Sequence, residues 1–364
     1  MSNLTNQNEN DVPAEKPSLG AFWQSPWVET AGRFLALVVV FVLFCALVGP
    51  TFYSARNLEN ILRQSAVYAT ASLGMTMVII TAGIDLSVGS IIALTVVVVA
   101  WTLNLNYEVV SGGETQVVYL VDQYPRLMPL LAMLCGLTAA TLAGLLNGVT
   151  IVWMRLVPFI VTLGTMGIVR GLAEGLAKER DVYPHDPTWL ADILDPTITA
   201  KDPTFGSLLL PLGVWILLLS AVAAAFLLRY TRFGRHVFAI GSNEETARLC
   251  GVAVGRTKIV VYTLAGFFGG LAGLMYFSQI GGFGTPSAAV AYELYVIAAV
   301  VIGGGSLMGG QGSILGSMIG ALIITVLYMG GEQAGWPKWV QKIVIGAIIV
   351  AAVKIDQMRR ANTR

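Results

Sequence analysis

The sequence predicts an all-α, polytopic membrane protein of about ten transmembrane helices, with both termini in the cytoplasm. Three observations carry that expectation. Of 364 residues, 55% are hydrophobic and only 12% are charged, against about 25% charged in a soluble domain. The mean hydropathy is +0.73. Apolar runs recur along nearly the whole chain, and a spanning helix needs roughly 20 such residues. Together these exclude a disordered chain, a disulfide-dense module and an ordinary cytosolic enzyme. The net charge of +1 gives no global field to draw in nucleic acid. Cys45, Cys135 and Cys250 lie far apart, and His185 and His236 are the only histidines, so neither a disulfide framework nor a histidine-based metal site is expected.

Residues 1–31 read as a disordered and interfacial cytoplasmic N-terminus that carries Trp23 and Trp27. No cleavable signal peptide is expected, because the apolar run Phe34–Val48 lacks a small-residue cleavage site. Apolar runs then place spans at about 32–50, 66–82, 86–104, 128–152, 158–178, 209–229, 258–277, 291–307, 311–330 and 340–355. Within 32–355, the second and third spans are separated only by Gly83-Ile84-Asp85, and the eighth and ninth only by a glycine-rich turn. Either junction reads as a loop or as a break inside the membrane. Residues 356–364 form a cytoplasmic tail.

Charge sets the orientation. Arg229, Arg232, Arg235, Arg248, Arg256 and Lys258 fall in one loop, 229–258, and Lys354, Arg359, Arg360 and Arg364 in the tail. The excess of Lys/Arg marks the cytoplasmic side. Two connections on the other side exceed a turn: 105–127, and the acidic, proline-rich 179–208. The second reads as a solvated connector or as a docking surface for an outside partner. Among 40 glycines, pairs such as Gly144/Gly148, Gly266/Gly270, Gly269/Gly273, Gly312/Gly316 and Gly316/Gly320 have the spacing that lets helix backbones approach.

Chemistry concentrates in few places. In 74–95 an apolar helix runs through Thr81-Ala82-Gly83 and Ile84-Asp85-Leu86-Ser87 into a second one. Asp85 reads either as a cap that accepts backbone N–H bonds at the start of the third span, assisted by Ser87, or as part of a discontinuous element lining a polar path. A related pattern at 295–322 passes through Gly303–Gly305 and Ser306. Asn147, Thr162, Thr165, Arg170, Glu174, Gln279 and Glu293 also fall inside spans, as helix-to-helix glue, as path-lining groups or, for the charged ones, as side chains reaching the outer interface. In 229–258, Gly241-Ser242-Asn243 reads as a turn and helix start, followed by Glu244, Glu245, Thr246, Ala247, Arg248 and Leu249, with Gly251 ending the helix. This short helix reads as a lever worked by a cytoplasmic partner or as an interfacial helix held near headgroups. There is no G-x-x-x-x-G-K-[ST], H-E-x-x-H, G-x-S-x-G or C-x-x-C.

Four blocks, GMTMVIITAGIDLSVGS, GLLNGVTIVWMRLVPFIVTLGTMGIVRGLA, TRFGRHVFAIGSNEETARLCGV and AVVIGGGSLMGGQGSILGSMIGAL, resemble in order the permease subunit of sugar-type ABC importers, the ribose/xylose/galactose group. The resemblance spans about 57–355. It implies a non-enzymatic inner-membrane permease that moves a monosaccharide by alternating access. It also implies a dimer with a second copy or a related permease, ABC ATP-binding subunits beneath, and a solute-binding protein outside. The chain itself would bind no cofactor, ATP and Mg being used by the ATPase. By similarity 241–252 looks like the coupling helix, with Asn243, Glu244, Glu245, Ala247, Arg248 and Gly251 as coupling residues. Asp85, Ser87, Thr81, Asn147, Thr162, Thr165 and Ser306 are the expected substrate pathway. Cys250 departs from the usual Ser or Ala. The rivals are a branched-chain amino-acid-type ABC permease, an ion-coupled secondary transporter or channel, and a membrane enzyme. The first would call for paired charges or exposed helix termini, the second for an ion site beyond Asp85, and the third for a nucleophile–base pair.

Overall fold

The computed structural model describes residues 26–111, 114–195 and 210–361. The expected N-terminal segment as far as residue 25, with Trp23, part of the long outer loop (196–209) and the last three tail residues lie outside the described residues. Each apolar run contains a helix: α1 (Pro26–Val48), α2 (Ala55–Ile80), α3 (Val88–Leu103), α5 (Leu127–Met154), α6 (Pro158–Ala177), α7 (Leu212–Tyr230), α10 (Val254–Gln279), α11 (Tyr292–Ile302), α12 (Ile314–Gln333) and α13 (Lys338–Ala361). Between them lie a hairpin of β1 (Asn106–Ser111) and β2 (Glu114–Tyr119), the short helix α4 (Leu120–Gln123), and the pair α8 (Arg232–Ser242) and α9 (Glu244–Leu249).

Six of these helices are long and apolar enough to cross a membrane unaided. Two fall short of the expected spans. Helix α3 has 16 residues and α11 only 11, about 24 Å and 16 Å, so the run 291–307 does not supply one full helical crossing. Helix α1 starts six residues earlier than the span expected at 32. The 105–127 connection, expected as a plain outer loop, is an antiparallel hairpin in the register Asn106↔Tyr119 to Ser111↔Glu114.

Local chemistry fixes the boundaries. Ser54 caps α2 by accepting from the Asn57 amide, and Ser313 caps α12 through the Gly316 amide. Pro158 opens α6, where its missing N–H costs nothing. Helix α2 is buried from Ser65 to Ile80 on every face, which makes it the axis of the bundle; α10, α11 and α12 pack around it. Alternate small residues let backbones touch. A Cβ on Gly144 would lie 2.8 Å from the Gly266 Cα, and one on Gly270 would lie 2.6 Å from the Ala140 Cβ. The α5–α10 seam is therefore packed through glycine, as the spacing predicts. The outward faces of α1, α5, α6 and α7 carry exposed Leu, Val, Ile and Phe, the chemistry of a lipid-facing surface.

The two ends of the bundle differ. At one end the hairpin, the 178–195 segment and the 280–291 connection meet: Asn104 Nδ2 donates to the Tyr183 carbonyl (2.7 Å), and Val182 bridges Gly284. Here Asp122, His185 and Asp186 come close enough to hold a metal ion, a proximity their sequence positions hide. All three are exposed, and the His185 ring stacks on Tyr119 at 3.9 Å. At the opposite end α8 lies against the tip of α2 and carries α9 beside it.

Candidate functional site: a helix break and its lever

Helix α2 ends at Ile80. Ala82 takes the left-handed conformation (φ 57°), the Gly83 amide donates to the Val78 carbonyl (3.0 Å), and residues 83–87 run on without helical structure until Val88 opens α3. The break is therefore real. Asp85 is 2% exposed. Its Oδ1 accepts from the Ser87 amide (2.8 Å) and the Ser87 hydroxyl (2.6 Å). This is an Asx turn rather than the expected cap: Ser87 occupies the N-cap position of α3 and makes no side-chain capping bond.

Three elements converge on the break. Asn147 of α5, fully buried, donates through Nδ2 to the Ser87 hydroxyl (2.9 Å). Thr162 of α6 donates to the Ile84 carbonyl (3.2 Å). Tyr262 of α10 lies against Gly83, where a Cβ would meet its hydroxyl at 2.5 Å. The structure thus joins Asp85, Ser87, Asn147 and Thr162 in one buried polar cluster. Among the described residues the Thr81 hydroxyl bonds within its own turn, to the Val78 carbonyl (2.8 Å). Thr165 is half-buried one turn further along α6, and among the described residues it makes no hydrogen bond to the cluster. Arg170 does not reach for the interface. It donates to the carbonyls of Pro286 and Ala288 (2.6 and 2.7 Å) and pins the 280–291 connection.

Ser306 is fully buried in the turn between α11 and α12, where its amide donates to the Gln311 carbonyl (3.1 Å). That turn carries Gly309 and Gly310, both at positive φ, and the Gly310 amide donates to the Ile80 carbonyl (2.8 Å). The second break is therefore tied to the first.

Helix α8 lies directly beneath. Gly241 and Ser242, expected as a turn, are the last two residues of α8. The period of the pattern explains α8: Gly234, Val237, Ile240 and Gly241 are buried on one face, and Thr231 caps its start by accepting from the Gly234 amide (3.3 Å). At Gly241 a Cβ would overlap the Ile80 carbonyl oxygen and lie 2.5 Å from the Gly310 nitrogen. Only glycine fits where these three backbones meet. Asn243 then caps α9 by accepting from the Thr246 amide (2.9 Å), and Gly251 stops it at φ 82°. Glu244 binds Lys258 (2.6 Å) and Arg248 (3.3 Å). Ile240, Ala247 and Val254 form a small core that fastens α9 to α8 and α10. The outer face of α9 is bare: Glu245 and Cys250 are exposed, Arg248 is 69% exposed by side chain, and Leu249 is 88% exposed. The seat at Gly241 was not legible in the sequence, since nothing local marks which backbone a glycine will touch.

Residues 57–353 match the family model described as the branched-chain amino acid transport system / permease component. The chain belongs to this family. Among its curated relatives is the ribose import permease protein RbsC of Escherichia coli (strain K12), 34% identical over 345 residues, covering 93% of this chain and 97% of that protein. The fructose import permease protein FrcC of Rhizobium meliloti is 36% identical, covering 90% and 84%. The galactose/methyl galactoside import permease protein MglC of Escherichia coli (strain K12) is 35% identical, covering 90% and 94%. No solved structure matches the chain. As a family member it is a multi-pass membrane permease, in keeping with its apolar outer faces.

The break gives this permease a measurable signature. Asp85→Asn keeps an acceptor for both Ser87 donors and should lower the unfolding temperature little; Asp85→Ala strands the buried Ser87 N–H, at about 1–3 kcal/mol. Thermal unfolding in detergent should separate the two variants. Equal stability would mean that the Asx turn does not hold the break together.

Proposed function

We propose that the chain is the membrane-spanning subunit of an ATP-driven importer for a monosaccharide, seated in the inner (cytoplasmic) membrane with the α8–α9 end in the cytoplasm. It works as a dimer, with a second copy or a related permease, above a pair of ATP-binding subunits that grip Asn243–Gly251. A solute-binding protein delivers the sugar from the other side. The named sugars of the relatives support the substrate class, and the family membership supports the assembly. One observation carries the mechanism: an exposed helix, rigidly capped and anchored, sits at the end of a segment whose Gly241 backbone abuts both breaks at once.

The chemistry is mechanical. Closure of the ATP-binding subunits displaces α9. The core of Ile240, Ala247 and Val254 passes that displacement to α8, and packed backbones have no slack to absorb it. Ile80 and Gly310 then move together, because a hydrogen bond joins them. The breaks at 81–87 and 303–313 are the elements with two arrangements, and the bundle changes the side to which its pathway opens. Asp85, Ser87, Asn147 and Thr162 hold the first break in the arrangement seen. Hydrolysis belongs to the partner subunits.

The branched-chain amino acid reading takes its support from the family's printed description. An amino-acid zwitterion calls for paired opposite charges, whereas the buried cluster at the break holds one carboxylate, Asp85, among neutral groups. The sugar reading fits better.

Replacing Glu245 and Arg248 together with alanine tests the assignment. Uptake should fall by about tenfold or more, equivalent to about 1.4 kcal/mol of lost docking, while insertion and unfolding temperature stay the same. Normal uptake in that double variant would remove the coupling role from α9.

A further inference from the structure

A group of tyrosines stands apart from the break. Tyr68 is the fourteenth residue of the 26-residue α2 and is 3% exposed. Its ring lies 4.7 Å from that of Tyr292 and 5.8 Å from that of Tyr295, both on α11. Tyr276 of α10 meets Tyr292 edge-on at 5.4 Å. Tyr276, Tyr292 and Tyr295 are only half-buried, so the cluster has an open side.

Its depth excludes the simplest account, a belt of tyrosines at the membrane surface. The start of α11 lies beside the start of α3: a Cβ on Gly89 would be 2.5 Å from Glu293 Oε2 and 2.6 Å from the Ala289 carbonyl. The far end of α3, Leu103, is 14 residues beyond Gly89, about 21 Å along the helix axis. Tyr292 and Tyr295 therefore sit well inside the bilayer. Simple packing does not account for the choice of residue either. The lipid-facing surfaces elsewhere use mostly Leu, Val, Ile and Phe, which need no partner for a hydroxyl, whereas a buried phenol does. The backbone leading to α11 is irregular from 280 to 291 and is pinned by Arg170. Non-helical backbone at this depth is tolerated where it is buried in protein or lines a cavity.

Resting on the reading of the chain as a monosaccharide permease, we propose that the tyrosine face of α2, α10 and α11 is the surface over which the sugar passes near the middle of the membrane. A pyranose or furanose has apolar C–H faces and a rim of hydroxyls. Aromatic rings receive the first, and phenolic O–H groups exchange hydrogen bonds with the second. The rings and phenols are themselves neutral, so the contact is weak enough to release what it receives. Tyr292 and Tyr295, three residues apart on one face of α11, form the half-buried rim, and Tyr68 braces them from behind.

The test uses the full assembly of permease, ATP-binding subunits and binding protein in proteoliposomes, with radiolabelled ribose, fructose and galactose as probes. Tyr295→Leu should reduce uptake about tenfold, and Tyr295→Phe, which keeps the ring, should lose less than about threefold. Stimulation of ATP hydrolysis by the loaded binding protein should survive in both. Independently, Tyr295→Cys should react with a membrane-impermeant methanethiosulfonate reagent, whereas Leu219→Cys, on the exposed apolar face of α7, should not. Uptake by Tyr295→Leu at the unaltered rate, or an unreactive Tyr295→Cys in both the nucleotide-free and the ATP-bound assembly, overturns the proposal. If the unaltered assembly moves no monosaccharide, the functional reading fails instead, and thiol labelling still decides whether this face is water-lined.

Discussion

Gly241→Ala is expected to stop uptake, to below about a tenth of the unaltered rate, while the protein still inserts. The added methyl would overlap the Ile80 carbonyl oxygen and crowd the Gly310 nitrogen at 2.5 Å. Both neighbours are backbone, so no rotamer change relieves the clash. Overpacking of this kind costs about 1–3 kcal/mol, and here it is relieved by pushing α8 off its seat. The lever then no longer bears on the breaks. Gly255→Ala is the matched control: its nearest neighbour is a side-chain methyl, Val152 Cγ1, at 2.9 Å, which gives way. Uptake should be near normal there. Equal uptake by the two variants would show that the meeting of Ile80, Gly241 and Gly310 transmits nothing.

Leu249→Asp should be the most damaging change on the surface of α9. Leu249 is 88% exposed, so the chain alone loses no packing, and its unfolding temperature should move by no more than the roughly 0.5 kcal/mol typical of surface substitutions. An exposed leucine on a protruding helix is suited to burial by a partner, worth about 1.5–3 kcal/mol. An aspartate there must instead be desolvated unpaired. Recovery of ATP-binding subunits with the purified permease should therefore fall by about tenfold or more. Undiminished recovery would place the docking contact elsewhere.

Much of this architecture was legible before any coordinates, because a bilayer imposes one strong rule: the backbone must satisfy itself, and helices do so. Long apolar runs therefore announce α5 and α6 to within about two residues, and α7, α10 and α12 to within about four. The same rule hid the exceptions. The run 291–307 is apolar from Leu294 to Ile302 but for the Tyr295 hydroxyl, yet α11 stops at Ile302, because the glycines that follow accept a turn tied to Gln311 and Ile80. Helix α8 is too short, at 11 residues, to stand out as a span, and although Val237 and Ile240 keep a helical period, the glycines that weaken it locally are the ones its packing requires. The hairpin at 106–119 was written in the sequence as two Val/Tyr-bearing runs flanking Gly112-Gly113, a signal overlooked in the acidic insert.

The site was legible in its parts and not in its wiring. Asp85 and Ser87 drew attention as polar residues between two apolar helices, and Asn147 and Thr162 as polar residues within spans. That Asn147 reaches Ser87, 60 residues away in sequence, is a property of tertiary packing that no local pattern encodes. The tyrosines give still less warning, since Tyr68, Tyr276 and Tyr292 share no spacing. Conversely the cap, the first-turn glutamates and the terminal glycine of α9 follow local rules, and for that reason a helix over 244–249 is legible in the sequence.

The central claim is that α9 is gripped from the cytoplasm by an ATP-binding subunit. Site-directed crosslinking tests it most directly, with a cysteine at Glu245 and native Cys250 replaced by serine, in the assembled transporter. The account predicts a crosslink to the ATP-binding subunit whose yield changes between the nucleotide-free and ATP-bound states. A cysteine at Glu245 that is labelled from outside the cell, or that crosslinks to no ATP-binding subunit in a transport-active assembly, would contradict it.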